Sequence, residues 1–328
     1  MNGEGKISIE PDSVLPRLIS CRRLWDRAGH NALTDLMRFQ DRFFCIFREG
    51  ELHVGGQDGS LVLLESGDGD SWTQVAGFRE HGVDLRDPKL SITPDGRLMM
   101  LAGGSCFDPD GRFLWRQTRV AFSPDGREWT CPEPILTRGE WLWRVTWYGG
   151  KGYGLSYNPD RRDLPGGEWS LSLFETEDGL HYRVLKMLEV PGLPNEATIR
   201  FLPDQSMLAL IRREQKPFTG WIGRSFPPYL DWIFREIPCR LGGPNFLVLP
   251  DGTLWAAGRG FTRVKGGTAA RTMLARMTPA DYEPALVLPS GGDTSYPGMV
   301  YHQGVLWMSY YSSHEEKTCV YLARIRLP

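Results

Sequence analysis

The sequence lacks the features that mark several common function classes. It has no excess of basic charge: Lys plus Arg number 38 against 40 Asp plus Glu, a net charge of −2. A phosphate backbone would find no basic field here, so no nucleic-acid partner is expected. No run approaches the roughly 18 apolar residues of a membrane helix. The opening stretch, MNGEGKISIEPDSVLPRLISCRRLW, has neither the apolar core nor the small-residue cleavage pattern of a signal peptide. A cytoplasmic protein with no membrane partner is the expectation. The six cysteines (Cys21, Cys45, Cys106, Cys131, Cys239, Cys319) form no CxxC and no close pair. That usage reads as free thiols in a reducing compartment. The six histidines show no ligand spacing, and no metal is expected. Helical patterning is missing too, because the apolar runs are short, β-branched or aromatic, and broken by Gly and Pro.

What is abundant is turn and aromatic residues: 38 Gly, 24 Pro, and 12 Trp within a 12% aromatic share. Tight turns combined with large flat side chains favour an all-β chain. A strand–turn–strand unit recurs as TDLMRF-QD-RFFCIFRE (34–49), DPKLSI-TPDG-RLMMLAG (87–103) and WRVTW-YGGK-GYGLSY (143–157). It returns as EATIRF-LPDQ-SMLALIRR (196–213), NFLVL-PDG-TLWAAGRG (245–260) and YPGMVY-HQG-VLWMSYY (296–311). Polar or ionisable residues open these hairpins at Asp35, Arg86, Arg144, Glu196, Asn245 and Tyr296, in steps of 51, 58, 52, 49 and 51 residues. A third strand follows each hairpin, for example SLVLLES (60–66) and TCVYLARI (318–325), and five units carry a fourth. The last unit runs out at Pro328, so the N-terminal stretch at about 15–25 is expected to supply its missing strand. Six four-stranded antiparallel units in a closed ring form a six-bladed β-propeller, expected here as one domain over 1–328.

Three units share a turn after the third strand: SGDGDSW (66–72), SPDGREW (123–129) and TEDGLHY (176–182). Asp and Gly support the tight turn and the aromatic packs back onto the sheet, so Asp68, Asp125 and Asp178 read as structural. The Ser/Thr-x-Asp-Gly-x-x-aromatic pattern resembles the Asp-box of the sialidase (neuraminidase) superfamily. The fourth unit, from Asn195-Glu196 to Arg212-Arg213, resembles the sialidase segment with a catalytic Glu and, sixteen residues on, a substrate-binding Arg. Thr294-Ser295-Tyr296-Pro297-Gly298 resembles the segment holding the sialidase tyrosine nucleophile, and Arg259 stands where the family places another carboxylate-binding Arg.

The resemblance implies an exo-acting glycosidase for a glycan ending in an acidic sugar, 2-keto or uronic, with no cofactor. Tyr296 would be the nucleophile and Glu196 its base, because a phenol brings less charge than a carboxylate to a carbon beside the substrate's own carboxylate. Arg212 and Arg259, with Arg86 or Arg48, would hold that carboxylate through charged forks. Where sialidases open with Arg-Ile-Pro, this chain has Leu33-Thr34-Asp35-Leu36. Asp58 in GGQDGS, or Asp35, would be the acid.

Further candidates for substrate contact are Arg144, Asp87, Asn245 and His53. Arg86, Asp87 and Arg144 suit ion pairs between blades equally well. Trp141, Trp143 and Trp147 alternate as a strand does and read as blade core rather than a sugar platform. Two other classes remain open: a non-catalytic glycan- or protein-binding propeller, and a polysaccharide lyase acting beside a uronic carboxylate.

Overall fold

The computed structural model describes residues 15–54, 58–159 and 169–328. Its sheets follow the repeat: six four-stranded antiparallel blades, each built from consecutive strands except the last. The innermost strands are His30–Phe39, Asp84–Ile92, Trp141–Tyr148, Pro194–Phe201, Asn245–Val248 and Thr294–His302, for blades 1 to 6. In blade 6 the outermost strand is Arg17–Trp25, paired antiparallel with Cys319–Arg326. The first strand in sequence thus completes the last blade and closes the ring, leaving only the short outer edge of each blade. No helix among the described residues is long and apolar enough to cross a membrane.

Apolar faces meet between neighbouring blades. Phe44, Ile46, Leu61 and Leu63 of blade 1 pack on Leu85, Leu90, Leu98 and Met100 of blade 2, all buried. Each such side chain contributes about 1.5–3 kcal/mol on burial, which makes the blade interfaces the main adhesive of the ring. The recurring turns after the third strands form as expected. Asp68 Oδ1 accepts from the N–H groups of Asp70 and Ser71, and the Trp72 indole donates 3.0 Å to the Gly69 carbonyl.

One irregularity repeats around the axis and places the site. Pairing of the innermost strand slips between Ala32 and Asp35, Arg86 and Lys89, Leu142 and Val145, Asn195 and Thr198, and Ser295 and Gly298. Each slip is a bulge at the start of the strand, and bulges re-aim side chains. The bulges centre on Leu33, Asp87, Trp143, Glu196 and Tyr296, with Gly243 just before the blade 5 strand. All but Trp143 have left-handed backbone, with φ of 61°, 51°, 39°, 54° and, at Gly243, 55°.

The structural repeat therefore differs from the one read in sequence. Asp35 and Asn245 stand two residues further along, Arg144 one further, and Arg86 one short of the bulge centre. Register was shifted by the bulges, which leave no unambiguous mark in a hydrophobic pattern.

Below the bulges the blades are tied by a belt of hydrogen bonds. Arg144 grips Asp35 with both terminal nitrogens, at 2.9 and 3.0 Å, and the Leu90 N–H adds a third bond at 2.8 Å. Thr198 Oγ1 donates to the Pro244 carbonyl and Asn245 Nδ2 to the Pro297 carbonyl. Asn245 Oδ1 accepts from Arg200 at 2.9 Å. At Gly298 the backbones of blades 6 and 1 approach closely: a Cβ there would lie 2.1 Å from the Leu36 nitrogen.

Candidate active site

The bulges of blades 2, 4 and 6 bring Asp87, Glu196 and Tyr296 to one mouth of the axial channel, on alternate blades. They floor a cleft of about 670 Å³ whose walls include His53, Arg86, Arg116, Trp141, Tyr157, Arg212, Arg259 and Asp293. Left-handed backbone at a non-glycine residue costs about 1–3 kcal/mol and gathers at functional sites. Here three ionisable residues share it.

Tyr296 Oη donates to Glu196 Oε1 at 2.5 Å. Glu196 Oε2 accepts from the Gly243 N–H at 2.7 Å, and Arg212 forms an ion pair with the same carboxylate. Gly243 is required twice over: its φ is left-handed, and a Cβ would stand 2.7 Å from Tyr296 Cδ2. The Tyr296 ring packs edge-on to Trp143 at 5.3 Å, and Lys89 Nζ lies 5.4 Å from its centroid.

Burial alone would push the Glu196 carboxyl up. Arg212, the Tyr296 hydroxyl and the Gly243 N–H outweigh it and leave the group below its ordinary value. Tyr296 goes the other way: burial first, then the Glu196 and Asp87 charges, hold its phenol well above the ordinary tyrosine value. At neutral pH the pair is a protonated phenol donating to a carboxylate. Lys89, buried and donating to the Asp87 and Pro88 carbonyls, is lowered to about 8, mainly by burial and then by Arg144.

Three arginines converge from different blades. Arg212 also pairs with Glu214. Arg86 donates to the His53 carbonyl at 2.8 Å and to Asp84 at 3.2 Å. Arg259 donates to the Thr294 carbonyl at 2.7 Å and stands 3.3 Å from Asp293. Arg48, the alternative to Arg86, is 1% exposed and is spent on Asp84 and the Leu52 carbonyl, below the cleft.

The two acid candidates also lie elsewhere. Asp35 is sealed in the belt with Arg144, and Asn245 belongs to that belt as well. Asp58 accepts from the Gly82 N–H and lines a separate surface depression with Arg79, Glu80 and His81.

Several cleft residues were not singled out in the sequence: Arg116, Tyr157 and Asp293, which come from three blades. Trp141, read as blade core, is 4% exposed but also lines the cleft. Asp293 joins His30 and His53, whose ring nitrogens meet its Oδ2 at 3.0 and 2.6 Å. These donors lie within 4.8 Å of one another, a spacing that suits a metal ion. Asp293 Oδ1, however, is already taken by Tyr311 Oη at 2.9 Å and faced by Arg259, and the cleft also holds Arg86, Arg116 and Arg212. That field favours an anion over a cation. The only sequence hint of Asp293 was its place three residues before Tyr296.

No known family pattern matches the chain, and no curated protein matches it. Among solved structures, a protein of unknown function from Dyadobacter fermentans DSM 18053 is similar at 19% identity. That match covers 95% of this chain and 99% of that one, with a TM-score of 0.77. An α-L-arabinofuranosidase from Fusarium graminearum, in complex with an iminosugar inhibitor, is similar at 14% identity, with 94% and 98% covered and a TM-score of 0.68. A Trypanosoma rangeli sialidase in complex with the inhibitor DANA is similar at 10% identity, with 94% and 58% covered and a TM-score of 0.66. At these identities the likeness establishes the fold: a six-bladed propeller of the kind found in sialidases and arabinofuranosidases.

Proposed function

We propose that the protein is an exo-acting glycoside hydrolase for a glycan ending in an acidic sugar, 2-keto or uronic, with Tyr296 as nucleophile and Glu196 as its base. The observation that carries this reading is the 2.5 Å hydrogen bond from the Tyr296 phenol to Glu196, on the floor of a cleft walled by Arg86, Arg212 and Arg259. A phenol with a raised pKa is a poor nucleophile alone and needs an ionised base at hydrogen-bond distance, which Glu196 supplies. Three arginines around that pair match a substrate carboxylate beside the reacting carbon. As the phenol oxygen attacks the anomeric carbon, its proton passes to Glu196. Arg212 then stabilises whichever member of the pair is charged. Trp141 and Tyr157 add aromatic lining to the cleft. No cofactor enters these steps.

The test is release of a fluorescent aglycone from glycosides of sialic, related 2-keto and uronic acids, with Tyr296→Phe alongside. Cleavage of at least one, lost in the variant, is expected. Binding without cleavage would favour the non-catalytic reading, and an ultraviolet-absorbing unsaturated product would favour a lyase.

A further inference from the structure

The hydrolase reading needs a proton donor for the departing oxygen, and neither Asp35 nor Asp58 reaches the cleft. We propose that Asp87 is that general acid, and the base that activates water in the second half of the reaction; this rests on the hydrolase reading above. Asp87 occupies on blade 2 the bulge position that Glu196 occupies on blade 4 and Tyr296 on blade 6. It shares their left-handed backbone and lines the same cleft. Its side chain is 9% exposed, and Oδ1 has no hydrogen-bond partner among the described residues. A buried carboxyl oxygen left without a donor is costly as a carboxylate and natural for a group that carries a proton.

The charged groups acting on it are Arg86 and Lys89 on its own strand, Glu196 from blade 4 and His53 from the loop of blade 1. Burial outweighs the two cations and lifts the carboxyl above the ordinary aspartate value. Glu196, held low by Arg212, contrasts with it. Two carboxyls driven apart in this way are the signature of separate acid and base roles.

The balance of the reaction is complete with these groups. In the first half the Tyr296 oxygen bonds to the anomeric carbon and its proton goes to Glu196. The glycosidic C–O bond breaks, and the aglycone oxygen keeps the electron pair and takes the Asp87 proton. In the second half water gives a proton to the Asp87 carboxylate as its oxygen bonds to the anomeric carbon. The bond to Tyr296 breaks, and the phenolate recovers its proton from Glu196. One glycoside and one water give one free sugar and one alcohol.

The test compares wild type, Asp87→Asn, His53→Ala and Tyr296→Phe on paired methyl and nitrophenyl glycosides of each acidic sugar. Methoxide cannot leave without a proton, whereas nitrophenolate can. For Asp87→Asn, cleavage of the methyl glycoside should fall by about 10²–10⁴-fold and the nitrophenyl bond-breaking step by less than about tenfold. A burst of nitrophenol should follow as the glycosyl-enzyme accumulates, and added azide should restore turnover. Tyr296→Phe should lose both substrates.

An equal loss on both substrates in Asp87→Asn, or the leaving-group-selective loss in His53→Ala instead, would overturn Asp87 as the acid and leave the hydrolase standing. Wild type inactive on every pair would overturn both. If Asp87→Asn does not fold, Asp87→Glu and Asp87→Ser decide. Methyl glycoside cleavage retained by Glu and lost by Ser supports the assignment, and equal behaviour contradicts it.

Discussion

The mouth of the axial channel and the belt beneath it are made of the same residue types, yet they treat charge in opposite ways. In the belt, Asp35 has two bonds from Arg144 and one from the Leu90 N–H, and it is 0% exposed. At the mouth, Asp87 keeps an oxygen without a partner, and Glu196 and Tyr296 share one short hydrogen bond on left-handed backbone. Arginine follows the same division. Arg144 and Arg48 are almost wholly buried with their acids, while Arg86, Arg212 and Arg259 pair with acids as well but also line the open cleft. A buried carboxylate with both oxygens bonded, as at Asp35, is a joint between blades. Incomplete satisfaction on a strained backbone marks the chemistry.

The contrast can be broken from either side. Tyr296→Phe should cost about 10⁴-fold in kcat/KM, equivalent to about 5 kcal/mol of transition-state stabilisation. Its melting temperature should scarcely move, because Glu196 retains Arg212 and the Gly243 N–H. Asp35→Ala should do the reverse. It strands the Arg144 charge in the belt and should lower unfolding free energy by about 3–5 kcal/mol in denaturant titration, with activity per folded molecule kept. Gly243→Ala probes the boundary between the layers. The added methyl would meet the Tyr296 ring and move the phenol off Glu196, so kcat/KM should fall by about 10²-fold with a smaller loss of stability.

The smallest effect expected is on pH. Glu196 is held below its ordinary value, so its stabilising ion pair is present above the ordinary glutamate range and lost as pH falls through the lowered value. The acid limb of kcat/KM should therefore lie below the ordinary glutamate value. Arg212→Ala should shift that limb upward, read in a pH–rate profile.

The propeller was legible because its signals are local. Hairpin spacing and Asp-Gly turns recur every fifty or so residues, and the unpaired last unit pointed to the strand that became Arg17–Trp25. Glu196, Arg212 and Tyr296, which meet in the cleft, were singled out because each sits in an extended motif. Asp35, Arg144 and Asn245 looked like their equivalents, since all open hairpins. A bulge moves each of them by one or two residues, which separates a cleft residue from a belt residue. Asp293 and His30, 263 positions apart in sequence, meet only through ring closure. Asp58 was singled out by its position along the first unit, but its side chain accepts from the Gly82 N–H.

With Tyr296 as nucleophile, the sugar becomes bonded to its phenol oxygen. The most direct measurement is peptide mass spectrometry after incubation with a fluorinated analogue of whichever acidic glycoside is turned over, chosen so that the second half-reaction is slow. One glycosyl group on the Tyr296 phenol oxygen is expected, absent in Tyr296→Phe. Turnover with the label on Glu196, or with no covalent adduct, would contradict it.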